Sequence, residues 1–154
     1  MDWLIELVTN PFLLTALSSW AIAQILKTII YAVVNKKIDW LRLLGDSGMP
    51  SGHSATVSSL ATICALHYGP SSFEFAVTLV LAIIVCHDAM GVRLETGKQA
   101  VVLNEMLDTL EFLTKMEISD VKLKEFVGHT PLQVLAGITV GICNALVMYY
   151  LVFA

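Results

Sequence analysis

Gly48-Met49-Pro50-Ser51-Gly52-His53-Ser54-Ala55 stands directly before a long apolar run. Small residues, a helix-starting proline and one histidine occupy the place where a membrane helix should begin. A helix start leaves backbone N–H groups without intrahelical acceptors and carries positive dipole potential, and both suit an anion such as phosphate. Histidine is the one side chain in the stretch able to move a proton near neutral pH. The stretch reads as a phosphate site at a membrane surface.

Composition places the stretch in a membrane. The chain has 154 residues, of which 56% are hydrophobic and 14% charged, and its mean hydropathy is +0.76. Soluble domains carry about 25% charged residues. An integral membrane protein with a single domain over 1–154 is expected. Met1 is followed by Asp2 and Glu6 rather than by a basic segment, so the first span is expected to be retained. The net charge of -4 argues against nucleic acid as a partner. Cys64, Cys86 and Cys143 all lie in apolar runs and read as small core residues rather than a disulfide framework.

A span needs about 20 mostly apolar residues. Pro11–Val34, Ser51–Tyr68, Phe73–Gly91 and Pro131–Phe153 are the candidates. Met1–Asn10 suggests a short interfacial helix, and Gly69-Pro70-Ser71-Ser72 a tight turn. In Gln99–Lys115, Val101, Val102, Met106, Leu110 and Leu113 follow a helical period with Glu105, Asp108 and Glu111 between them. That pattern predicts an amphipathic helix lying on the membrane or against the spans. The expected fold is an all-α membrane bundle of about four spans plus this helix.

Charge placement orients the bundle. All nine Lys and Arg fall on or near one side of the four-span layout, while the other side holds Asp2, Glu6 and Glu74. The positive-inside rule puts the basic side in the cytoplasm and both termini outside. Lys27, His53, Asp88, Arg93 and His129 then gather on one face, although they are far apart in sequence. Polar groups on one level near a membrane usually mark a functional cavity.

The second histidine stands in Gly128-His129-Thr130-Pro131-Leu132-Gln133-Val134-Leu135-Ala136-Gly137. Together with Pro50-Ser51-Gly52-His53, this resembles the type 2 phosphatidic acid phosphatase superfamily, which includes lipid phosphatases and vanadium haloperoxidases. Pro-Ser-Gly-His is that group's second motif. Its third motif has a His, three residues, usually an Asp, and then Val-Leu-Ala-Gly. Gln133 takes the Asp place here. Asp88-Ala89-Met90-Gly91-Val92-Arg93, followed by Gly97-Lys98-Gln99-Ala100 and Leu103-Asn104, resembles a divergent branch of the group. The likeness runs from about Lys27 to Gly141.

The resemblance implies a metal-independent phosphatase without cofactors, with a lipid-phosphatase-like helical core. His129 would be the nucleophile and His53 the acid for the leaving oxygen. Ser51, the Gly52 backbone and Lys27 would hold phosphate oxygens. The group's Arg-Pro pair, seven and eight residues after its Lys, is Val34-Asn35 here, and the Arg six residues before the nucleophile is Leu123. Arg93 is the best substitute for one arginine, and Arg42 or Lys124 for another. Asp88 could supply charge behind His129. Gln133, Gln99 and Asn104 complete the candidate set.

The chemistry fits independently of the likeness. Phosphoryl transfer needs positive groups around spread oxygen charge, in-line attack and a leaving-group acid. A neutral imidazole can attack and form a phosphohistidine, and a second can move the proton. Structural readings compete at several positions. Thr130-Pro131-Leu132-Gln133 is a helix capping box with Pro at the first helical position. Lys27 could snorkel to the interface, and Gln99 and Asn104 could pack helices.

The expected function is hydrolysis of a phosphomonoester or diphosphate headgroup on a membrane lipid, of phosphatidylglycerophosphate or phosphatidic acid type. The alternatives are an isoprenyl diphosphate phosphatase and a non-catalytic lipid-binding membrane scaffold. The expected partners are the lipid phosphate, membrane lipids and a second copy of the chain, in a bacterial cell membrane with the site facing the cytoplasm.

Overall fold

The computed structural model describes residues 2–37, 48–114, 123 and 128–152. All elements among the described residues are helices: α1 (Asp2–Val8), α2 (Pro11–Asn35), α3 (Gly52–Tyr68), α4 (Phe73–Met90), α5 (Val92–Thr114) and α6 (Pro131–Val152). Helix starts follow the capping residues. Asn10 Oδ1 accepts from the N–H groups of Phe12 and Leu13 at 2.9 and 3.2 Å, with Pro11 at the first helical position. Ser51 and Ser72 cap α3 and α4 through the N–H groups of Ser54 and Phe75. Gly69, at φ +87°, makes the turn between those two helices.

Three stretches among the described residues are long and apolar enough to cross a membrane: Pro11–Asn35, Phe73–Leu113 and Pro131–Leu151. The expected second span is different. α3 has 17 residues, and at about 1.5 Å per residue it is roughly 25 Å long, shorter than a bilayer core of about 30 Å. Its buried residues are Gly52, Ser54, Ala55, Ser58, Ser59, Ala61, Ile63 and Cys64. It sits at the centre, packed by α2, α4 and α6. Small side chains suit that place, because membrane helices gain from close backbone approach more than from apolarity.

The closest approach is between α3 and α6. Gly137 faces Ser51 and Ser54, and Gly141 faces Ala55, Ser58 and Ser59. No side chain fits between them. The hydroxyls of Ser58, Thr62 and Thr56 donate to carbonyls one turn back in α3, so these polar groups are satisfied inside the bundle. On the far half, Asn144 Nδ2 of α6 donates to Ser18 Oγ at 2.9 Å and Ser19 Oγ at 2.8 Å of α2. Interhelical bonds of this kind contribute about 0.6 kcal/mol each in a membrane.

The amphipathic helix begins at Val92, seven residues before the expected Gln99, because Gly91 breaks only α4. Its two faces differ. Gly97, Ala100 and Asn104 are buried, while the apolar stripe Val102, Met106, Leu110 and Leu113 is exposed. Small residues let α5 lie close to the bundle, and the bulky stripe faces outward, as on a helix resting in a membrane interface.

Candidate active site

One end of the bundle collects the C-terminal end of α2, the N-terminus of α3, the C-terminal end of α4 and the N-terminus of α6. Backbone bonds lock these ends together. Ser51 N–H donates to Gln133 O at 3.0 Å, joining α3 to α6. His129 N–H donates to Ala89 O at 2.9 Å, joining the segment before α6 to the last turn of α4. The two histidines thus arrive at the same place from chain positions 76 residues apart.

Their rings face each other with centroids 6.2 Å apart and planes tilted by 55°. His129 is 3% exposed, and His53 is half-buried. His129 Nδ1 lies 3.2 Å from Gln133 Oε1. A carboxamide oxygen can only accept, so the bond assigns the proton to Nδ1 and the ring lone pair to Nε2. The same Oε1 accepts from Thr130 N–H at 3.1 Å, and Gln133 N–H donates to Thr130 Oγ1 at 3.4 Å. Gln133 thus both caps α6 and orients the His129 ring. The capping box fixes the amide, and the fixed amide holds the imidazole.

The other half of the site is built on the α3 N-terminus. Ser51 and Ser54 are fully buried, and Ser54 Oγ donates to Ser51 Oγ at 3.1 Å. Gly48 has φ +117°, a conformation that favours glycine. A Cβ there would meet Lys27 Cγ at 3.0 Å, so the glycine also makes room for the lysine stem. Lys27 is 3% exposed. Its burial against Gly48 differs from snorkelling, which would leave the ammonium in open water.

The other expected residues are placed unequally. Asp88 is half-buried on the last turn of α4, next to the Ala89 carbonyl that holds His129. Asn104 is 4% exposed, and its amide clasps the backbone of Leu123: Nδ2 donates to Leu123 O and Oδ1 accepts from Leu123 N–H, both at 2.9 Å. It ties α5 to the segment that leads to His129. Gln99 is exposed on α5. The side chain of Arg93, together with Arg42 and Lys124, lies outside the described residues.

Gln24 escaped sequence reasoning. It is 5% exposed on α2, and its Oε1 is the buried side-chain polar atom without a hydrogen-bond partner among the described residues. A Cβ at Gly52 would lie 3.9 Å from that oxygen and 3.3 Å from Trp20 Cδ1. Trp20, Gln24 and Lys27 therefore form one stripe of α2 turned toward the Gly48–His53 stretch. The available signal was a polar residue inside an apolar span, one turn before Lys27. No group of three or more His, Cys, Asp or Glu side chains able to hold a metal occurs among the described residues.

The chain is thus an all-α membrane bundle with two histidines paired at neighbouring helix starts. The family described as "Divergent PAP2 family" matches residues 8–144, and the chain belongs to it. It is 39% identical over 154 residues to the uncharacterized membrane protein YuiD of Bacillus subtilis (strain 168), covering 94% of this chain and 98% of that protein. No solved structure matches the chain.

Proposed function

We propose that this protein is a membrane lipid phosphatase working through a phosphohistidine. The observation that carries the proposal is the facing His53–His129 pair, 6.2 Å between ring centroids, with His129 Nδ1 bonded to Gln133. An attacking nitrogen about 3–3.5 Å from phosphorus and a proton donor about 2.6–3.2 Å from the leaving oxygen are compatible with that gap.

His129 Nε2 attacks phosphorus, and the P–N bond forms as the P–O bond to the lipid alcohol breaks. Protonated His53 gives its proton to that oxygen, so a neutral alcohol leaves. Neutral His53 then takes a proton from water, whose oxygen attacks phosphorus. The P–N bond breaks, releasing inorganic phosphate and restoring both histidines. Lys27, the Ser51 hydroxyl and the α3 N-terminus stabilise the transferring oxygens. The carboxamide of Gln133 supports the imidazolium less than a carboxylate would, and Asp88 adds negative charge nearby. The basic end of the bundle faces the cytoplasm of a bacterial cell in this reading.

Phosphate release from a panel of lipid phosphates by the purified protein tests the proposal. Wild type should release phosphate, and His129→Ala and His53→Ala should each lose at least 100-fold, the scale of about 10²–10⁴ assigned to a positioned proton donor. Inactivity on the whole panel, or full activity in both variants, sinks it. Orthovanadate bound between the histidines of a protein that turns nothing over would favour a non-catalytic lipid-binding scaffold.

A further inference from the structure

Every group that the proposed reaction sets against the transferring oxygens is a donor: the Lys27 ammonium, the Ser51 hydroxyl and the leading N–H groups of α3. Donors hold any tetrahedral oxyanion. They do not separate phosphate from sulfate, which has the same shape and the same accepting oxygens.

Gln24 adds the opposite polarity. It is 5% exposed on α2, and its Oε1 is buried without a hydrogen-bond partner. That oxygen is aimed at the first residue of α3, since a Cβ on Gly52 would lie 3.9 Å from it. One turn away on the same stripe of α2, Trp20 brings its indole Nε1 to 3.6 Å from the same Cβ position. Gly52 opens α3, so its own N–H has no acceptor within the helix. Neither the indole N–H nor the Gln24 amide makes a hydrogen bond among the described residues. With no side chain at Gly52, this flank of the α3 start stays open to both.

One acceptor and two donors thus converge on the residue before His53. A buried carbonyl without a donor is unfavourable, and polar groups held inside a membrane bundle mark a functional site. A ligand that satisfies all three has one oxygen that donates and others that accept. A singly protonated phosphate ester does so through its P–OH and its two remaining terminal oxygens. A sulfate ester has the same charge and geometry but no proton to give. Its oxygen would face Gln24 Oε1 lone pair to lone pair.

We propose that Gln24 is a specificity-determining residue whose Oε1 accepts the proton-bearing oxygen of a phosphate group, so that the site takes singly protonated phosphate and rejects sulfate. The inference rests on the anion site of the phosphatase reading and names the ionic form bound there. A site built to bond a ligand hydroxyl rejects the analogue that lacks it, and one buried acceptor left unpaired corresponds to about tenfold in affinity.

The test compares hexyl phosphate with hexyl sulfate. At about pH 5.5, below the second phosphate pKa of about 6, both carry one negative charge. Calorimetry on detergent-solubilised His129→Ala protein, which binds without turnover, should find hexyl phosphate about tenfold tighter or more. Gln24→Met keeps the size, removes the acceptor and breaks no bond of the fold. It should abolish the preference by letting hexyl sulfate bind as well as hexyl phosphate. Trp20→Phe removes a donor, so it should weaken both esters alike and keep the ratio. Inorganic phosphate as competitor names the source: displacement of hexyl phosphate at equal concentration assigns the site to the free anion, and weaker displacement assigns it to the lipid ester. Both carry the P–OH that Gln24 reads. Equal affinity for the two esters, a preference that survives Gln24→Met, or loss of both esters in Gln24→Met overturns the inference. Phosphate release by the wild type reports on the phosphatase reading by itself. Preference without release would refute the enzyme and leave the role of Gln24 standing, and release without preference would do the reverse.

Discussion

Gly137→Ala should loosen the bundle and the site together. In an unhindered helix this exchange stabilises by about 1 kcal/mol, because alanine has the better helix propensity. Here the new methyl would lie 3.0 Å from Ser54 Cβ and 3.2 Å from Ser51 Cβ, and closer still to the Ser51 carbonyl oxygen. Carbon atoms prefer about 3.5–4.0 Å, so α3 and α6 must part by at least about 0.5 Å. Overpacking of this kind costs about 1–3 kcal/mol, which offsets or exceeds the propensity gain. The partners that move are the residues of the site. Ser51 N–H reaches Gln133 O at 3.0 Å, and a shift of about 0.5–1 Å takes it to the limit of a hydrogen bond. A displacement of about 1 Å can cost about 10²-fold in rate. Thermal unfolding in detergent should show a lower midpoint, and phosphate release should fall by one to two orders of magnitude. A raised midpoint with unchanged turnover would refute the close-packing argument, because only an unhindered glycine gains from a methyl.

Gln133→Leu removes the acceptor shared by His129 Nδ1 and Thr130 N–H. Turnover should drop by about 10²-fold from misorientation, while Gln133→Glu, which keeps an acceptor there, should stay within a few-fold of wild type. Asn104→Ala removes both bonds to Leu123, and denaturant unfolding should register a loss of about 1–3 kcal/mol. In a cysteine-free background, Lys37→Cys at the basic end should react with a membrane-impermeant maleimide only after cells are opened. Labelling of intact cells would reverse the orientation.

The helix boundaries were legible where punctuation is chemical. Asn10-Pro11, Pro50-Ser51, Gly69 to Ser72 and Thr130-Pro131 each stop or start a helix by capping or by a fixed φ, which local sequence states directly. The pairing of His53 with His129 was legible through two motifs and one basic face. The rest depended on which neighbour each helix meets. α3 lies at the centre because Gly137 and Gly141 of another helix admit it, so its serines line a core rather than a lipid face. α5 turns Gly97 and Ala100 inward because small residues permit approach, although its apolar period points the other way. Gln24 matters because Gly52 leaves space above it, a relation between α2 and α3 that neither helix announces alone.

The proposed reaction passes through a covalent phosphohistidine on His129. A ³²P-labelled lipid phosphate, mixed with the solubilised protein and quenched in alkali within milliseconds, should leave an acid-labile label that maps to His129. The label should vanish in His129→Ala. No label under conditions that release phosphate, or a label that persists in His129→Ala, would contradict the account.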